Sequence, residues 1–177
     1  RVQVSLNIST EDLIDPQLPA RVRQLLDTYQ VPAQQLIFEI TESGVMLNPE
    51  VALQVLHGLR ECGISLSVDD FGTGYSSLAQ LKRMPVQELK IDQSLIRDLD
   101  EASEDAVIVR STIDMSHSLG LKVVAEGVEY ERSLRLLERW GCDTVQGYLI
   151  SRPLNAEAFE TWHGQPLNPL LLRETER

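Results

Sequence analysis

Asp69 and Asp70 stand side by side at the end of an apolar run, in the stretch SLSVDDFGTGYSSL (65–78). Adjacent carboxylates repel and are costly to desolvate. A surface turn would account for Asp and Gly there. Other residues able to do chemistry argue against that account: Asn7, Glu39, Lys90, Asp92, Glu126 and Gln146 each close a β-rich run. Brought together, these carboxylates would repel strongly without cations. Oxygen donors from Asp, Glu and Asn, with no Cys or His among them, are what Mg²⁺, Mn²⁺ or Ca²⁺ prefer. The expectation is that Asp69 points inward as a ligand and Asp70 serves a second ion. Gly72 and Gly74 would let the following loop turn sharply.

The 177 residues carry 27 Asp and Glu against 16 Lys and Arg, a net charge of −11. A long nucleic acid is a poor partner for that surface, since phosphate backbones call for a basic one. A small phosphate ligand held through metal cations remains open. No apolar run has membrane-spanning length, and the first residues do not read as a signal peptide. Membrane contact is therefore not expected. Cys62 and Cys142 form neither a disulfide framework nor a zinc pattern. Both adjoin glycines at helix-to-strand junctions and read as small buried thiols in a reducing, cytoplasmic setting. His57, His117 and His163 have no metal-ligand spacing and read as structural or surface residues.

The elements that must position these residues follow one repeated plan. Short β-rich runs at 2–9, 35–42, 64–70, 88–92, 121–127 and 144–150 alternate with helical stretches near 19–30, 49–61, 76–83, 103–119, 130–140 and 155–162. LRECGISLSVDD, HSLGLKVVAEG and LERWGCDTVQG share a design: a helix ends, Gly63, Gly120 or Gly141 follows, and a short strand runs to Asp69, Glu126 or Gln146. Side chains alternate across a strand. Val4, Leu6 and Ile8 thus share a face opposite Asn7, Phe38 and Ile40 oppose Glu39, and Leu66 and Val68 oppose Asp69. Leu89 and Ile91 likewise oppose Lys90 and Asp92, Val123 and Ala125 oppose Glu126, and Val145 opposes Gln146. Helices would cover the apolar face. The polar ends would converge on one mouth, as at the C-terminal face of a barrel. A doubly wound sheet is covered on both faces and would not repeat this parity. The fold class is therefore read as α/β, a TIM-like (β/α) barrel, with the barrel domain over 1–163 and a Pro-containing, charged tail over 164–177.

The motifs NIS, FEITES, DDFGTGYSSL, LKID, VVAEGVE and VQGYLISRPL, in this order from about Val2 to Pro153, resemble the EAL-domain phosphodiesterases, which hydrolyse cyclic di-GMP to linear pGpG. The resemblance implies a TIM-like barrel with one antiparallel strand and metal-dependent phosphodiester hydrolysis with Mg²⁺ or Mn²⁺, two ions in the complete site. It implies Asn7, Glu39 and Asp69 as metal ligands, Asp70 near a second metal, and Lys90 against the attacking water. Asp92 would support that cluster, Glu126 would be a general base or metal-side carboxylate, and Gln146 would orient the site or the substrate. Glu42, with the loop containing Phe71, Gly72, Thr73 and Gly74, resembles the element coupling the active site to a dimer interface. Partners implied are cyclic di-GMP, a second copy in a homodimer, and flanking regulatory domains.

The chain contains no Glu-Ala-Leu, the family's eponymous motif and a source of one metal ligand. It resembles the family from the third strand onward, so six of eight barrel strands are expected here, with unpaired edges at 2–9 and 144–150. The piece alone is expected to hydrolyse the substrate poorly and to be marginally stable or self-associating. A non-catalytic cyclic di-GMP binding module is the alternative; the intact Glu42 and its loop rank it second. The DFG tripeptide also occurs in protein kinases, but no Gly-rich phosphate loop or catalytic-loop pattern accompanies it.

Overall fold

The computed structural model describes residues 2–71 and 78–165. Gly72, Thr73 and Gly74 lie outside the described residues, as does most of the tail. Six strands form one sheet in chain order: β1 (Val4–Asn7), β2 (Leu36–Thr41), β3 (Ser65–Phe71), β4 (Glu88–Ile91), β5 (Lys122–Ala125) and β6 (Thr144–Val145). Every neighbouring pair is parallel. The antiparallel strand implied by the family resemblance is not among them. Between the strands run helices, so the sheet curves as part of a (β/α) barrel, open at β1 and β6 among the described residues.

The long helices are where the apolar periodicity puts them: α2 (Leu18–Tyr29), α4 (Pro49–Glu61), α7 (Glu104–Ser118), α8 (Glu131–Arg139) and α9 (Ala156–His163). Helix α4 buries Ala52, Val55, Leu56 and Leu59, one stripe at helical spacing. Helix α7 starts at Ser103, whose hydroxyl accepts from the Ala106 N–H at 3.1 Å. These stripes pack on the apolar strand face, where Phe38, Ile40, Leu66, Val68, Leu89, Ile91, Val123 and Ala125 are buried. Gly63, Gly120 and Gly141, which close α4, α7 and α8, have φ of +89°, +75° and +76°.

The structure departs from the sequence reading in three ways. First, β1 and β2 end at Asn7 and Thr41, and β4 ends at Ile91. Short helices follow at once: α1 (Thr10–Leu13), α3 (Glu42–Met46) and α6 (Gln93–Ile96). Ser9, Thr41 and Asp92 cap them, accepting from the N–H groups of Asp12, Gly44 and Ser94. Glu42 therefore begins a helix and is not the last residue of a strand. The remaining short helix, α5 (Leu78–Leu81), matches the second half of the expected 76–83. Second, strand β6 holds only Thr144 and Val145; the 147 to 151 segment turns, with the N–H groups of Ile150 and Ser151 on the Gly147 carbonyl. Third, Val4 and Leu6, read as a helix-covered face, are 49% and 45% exposed. Strand β1 has one neighbour, and none of the described helices lies over its outer face closely enough to bury them.

Candidate functional site

The polar ends of the central strands meet at Lys90. Its alternation with Leu89 and Ile91 turns it away from the helices, and it is 4% exposed. Lys90 Nζ lies 2.8 Å from Glu39 Oε2, 3.2 Å from Asp69 Oδ1 and 2.8 Å from Glu126 Oε1. One ammonium thus meets carboxylates from β2, β3 and the end of β5. Register explains the convergence: Thr41 pairs with Asp69, Lys90 with Val124, and the Glu126 N–H bonds to the Ile91 carbonyl at 3.1 Å. Burial opposes the ammonium's charge, but hydrogen bonds to Glu126 and Glu39 outweigh it and push the pKa up.

Neighbouring residues in a strand should point to opposite faces, so Asp69 and Asp70 should not share a site. The backbone resolves this. The register between β3 and β4 shifts between Val68 and Phe71, a β-bulge, and Asp70 takes φ +58°. Asp is among the few non-glycine residues that enter this left-handed region at modest cost. Its N–H donates to Asp69 Oδ1 at 3.0 Å. Ligand oxygens of Asp69, Asp70 and Glu126 consequently lie within 4.8 Å of one another. Burial, then the charges of Asp69 and Asp92, push the Asp70 carboxyl up, against Lys90, which pulls it down. Burial also raises Glu126, against its hydrogen bond from Lys90.

The other expected site residues fall in graded positions. Asn7 pairs with Glu39 in register at the exposed end of β1. Glu39 is buried at 8% exposure, facing Lys90. Asp92 works as a helix cap, with its carboxylate on the Ser94 N–H at 2.9 Å. That hydrogen bond overcomes burial and lowers its pKa. Gln146 follows β6 and, with Glu126, Gly147 and Tyr148, lines a cleft of about 260 Å³ beside the lysine. Phe71 is buried at the end of β3. Glu42 lines a different, smaller niche of about 30 Å³ with Met46, Gln80 and Met84.

Two residues escaped the sequence reading. Glu88 lies two positions before Lys90 on the same strand parity, and burial pushes its carboxyl up; the alternation in ELKID was the available signal. His117, read as standing alone, binds Asp143 at 2.8 Å, and the same carboxylate accepts from the Val123 N–H at 2.8 Å. Twenty-six positions separate that pair, too far for any local pattern. Cys62 and Cys142 are free and only partly buried, Cys142 with its thiol pushed by burial up to about 11.

Residues 1–153 match the family model described as the EAL domain. The cyclic di-GMP phosphodiesterase NbdA of Pseudomonas aeruginosa is 44% identical over 160 residues, which is 90% of this chain and 20% of that protein. The chain spans about a fifth of the length of the curated relatives it matches. A solved structure of the PaMucR phosphodiesterase in complex with c-di-GMP superposes with TM-score 0.84 at 41% identity, covering 89% of this chain and 70% of that one. The manganese/cy-diGMP complex of Klebsiella pneumoniae BlrP1 gives TM-score 0.79 at 34% identity, over 85% of this chain and 39% of that one. No helix among the described residues is long and apolar enough to cross a membrane.

Proposed function

The chain belongs to the EAL domain family, and from that premise we propose that the protein it forms part of hydrolyses cyclic di-GMP to linear pGpG in a reaction that needs a divalent cation. The observation that carries the reading is the Lys90 cage with its flanking Asp69, Asp70 and Glu126 oxygens, on the C-terminal ends of adjacent parallel strands. The donor set fits Mg²⁺ or Mn²⁺: carboxylate oxygens close together, with no sulfur or imidazole. Asp69 and Asp70 would hold the cation, with Asn7 and Glu39 on the β1–β2 side. A cation held there supplies Lewis-acid polarisation of the phosphate and acidifies a water, and two ions would serve the attacking and the leaving oxygen.

The products fix which bond breaks. Water oxygen bonds to one phosphorus, the bond from that phosphorus to the 3′ oxygen breaks, and the phosphate stays on the 5′ side. Glu126, half-buried and with its pKa raised, suits the role of accepting the water's proton. Lys90, held by Glu39 and Glu126, can donate to the water or to a phosphate oxygen without leaving the cage. Gln146 and the cleft beside Glu126 give the rest of the nucleotide a place to lie. Asp92, by capping α6, would steady the end of the lysine strand.

The reading extends to a homodimer in which Glu42 and the segment from Phe71 to Gly74 link the site to the partner, and to flanking regulatory domains, supported by the small share of each relative that the chain spans. The free cysteines fit a reducing, cytoplasmic compartment. The test is a product assay on the whole protein. Linear pGpG should form with Mg²⁺ or Mn²⁺ and stop on chelation. Cyclic di-GMP bound but uncut under both conditions would make it a binding module instead.

A further inference from the structure

The cage raises a question that its role in turnover leaves open. Lys90 meets Asp69 and Glu126, and the same two residues, with Asp70, form the oxygen cluster suited to a metal. The third partner, Glu39, is not in that cluster. Two cations of different valence thus face the same carboxylates. The three donors of the ammonium match three carboxylate partners, so its bonding capacity is spent on the cage.

We propose that Lys90 is a tethered placeholder cation: it neutralises the cage when no divalent ion is present, competes with that ion for Asp69 and Glu126, and retreats onto Glu39 when the ion enters. The inference rests on the metal reading given above. The charges make the argument. Glu39, Asp69, Asp70 and Glu126 bring four negative charges, and Lys90 returns one, leaving −3 where its removal leaves −4. At these distances and this burial, one charge shifts the proton affinity of a carboxylate by about 10- to 1000-fold. The same field acts on a metal ion bound by that carboxylate. A lysine can make the retreat because its ammonium is a point charge on a flexible stem with freely rotating donors. Glu39 keeps it paired, so no buried charge is stranded.

The opposite view is that Lys90 is a permanent brace, pre-arranging the ligands for the metal. The two views predict opposite signs. The experiment titrates Mn²⁺ alone into the 177-residue chain by calorimetry, with thermal unfolding recorded in parallel. The variants are Lys90→Met and Lys90→Gln. Lys122→Met removes an exposed lysine outside the cage and controls for general charge.

A placeholder predicts that both Lys90 variants bind Mn²⁺ at least about tenfold more tightly than the wild-type chain. They should also unfold at lower temperature without metal and gain more from Mn²⁺, while Lys122→Met follows the wild type. A Lys90 variant that folds only when Mn²⁺ is present supports the proposal too, since the cage then needs some cation. Equal or weaker Mn²⁺ binding in both variants overturns it, as does failure of both to fold with Mn²⁺ present. If the wild-type chain binds Mn²⁺, and the whole protein turns over with it, but the variants bind no tighter, this inference alone falls. If no form binds Mn²⁺, the metal reading falls with it.

Discussion

Gly147 should be a residue on which catalysis depends without its touching substrate. It follows Gln146, and the backbones of β5 and β6 continue to bond beyond the strands: the Val128 N–H donates to the Gln146 carbonyl at 3.0 Å, and the Leu149 N–H to the Val128 carbonyl at 3.0 Å. A Cβ on residue 147 would lie 2.7 Å from the Val128 carbonyl carbon and nearer still to its oxygen and nitrogen. These are backbone atoms and cannot rotate aside. To restore a contact of about 3.5 Å the two segments must part by roughly 1 Å. Glu126 is two residues before Val128, so the movement reaches the carboxylate that meets Lys90. A displacement of that size costs about 100-fold in rate when it falls on catalytic geometry, or about 2.7 kcal/mol of barrier. Overpacking should also cost about 1–3 kcal/mol of stability. Gly141→Ala is the control: φ is +76° but a Cβ meets nothing within 4 Å, so it should cost about 1–2 kcal/mol of stability from the left-handed backbone alone and leave turnover unchanged. The assay is pGpG formation by the whole protein carrying each change, with urea unfolding alongside. Turnover by Gly147→Ala equal to that of Gly141→Ala, at similar stability, would refute the argument that this contact sets the position of Glu126.

Other expectations follow from the same geometry. Asp69→Asn in the whole protein should abolish metal-dependent turnover, because an amide is a weaker ligand for Mg²⁺ than a carboxylate; near-normal pGpG formation at moderate Mg²⁺ would count against the assignment. Glu42→Ala should lower turnover while sparing Mn²⁺ binding, since Glu42 opens α3 and lines the niche with Gln80 and Met84 outside the cage; calorimetry and product assay both unchanged would sink the coupling role. Asp143→Asn should destabilise the fold at neutral pH. Burial raises the Asp143 carboxyl, but hydrogen bonds from His117 and the Val123 N–H outweigh it and lower the pKa. A lowered folded-state pKa contributes stability above the unfolded value of about 3.9, lost as pH falls through the folded value. The gap between variant and wild type in urea midpoint should therefore be widest near pH 7 and close below about pH 4; a gap that stays constant across that range would show that the ion pair contributes nothing.

The sequence by itself determined the repeated strand–helix order, the five long helices and the face of each strand that packs against them. Those features rest on local periodicity: an apolar stripe at helical spacing, as in Ala52, Val55, Leu56 and Leu59, or strict alternation, as in Leu89, Lys90 and Ile91. It also singled out Glu39, Asp69, Lys90 and Glu126, because each is a polar residue of the inward parity at a strand end. The short helices α1, α3 and α6 were missed although Ser9, Thr41 and Asp92 are ordinary capping residues; at four or five residues each helix is too short to show a period.

Tertiary structure alone decided how the site closes. Alternation would send Asp69 and Asp70 to opposite faces, and only the register slip against β4, with Asp70 in the left-handed region, returns both to one cluster. That slip is a property of two paired strands, and one strand read alone does not contain it. The pairing of His117 with Asp143 and the contact of Gly147 with Val128 join residues 26 and 19 positions apart, whose proximity is set by how parallel strands stack. The choice among the carboxylates is of the same kind. Sequence offered Glu39, Asp69, Asp70 and Glu126 as equals. Packing gave Glu39 wholly to Lys90 and left Asp69 and Glu126 shared between the lysine and the cluster, because a lysine stem from β4 reaches three neighbouring strand ends at once.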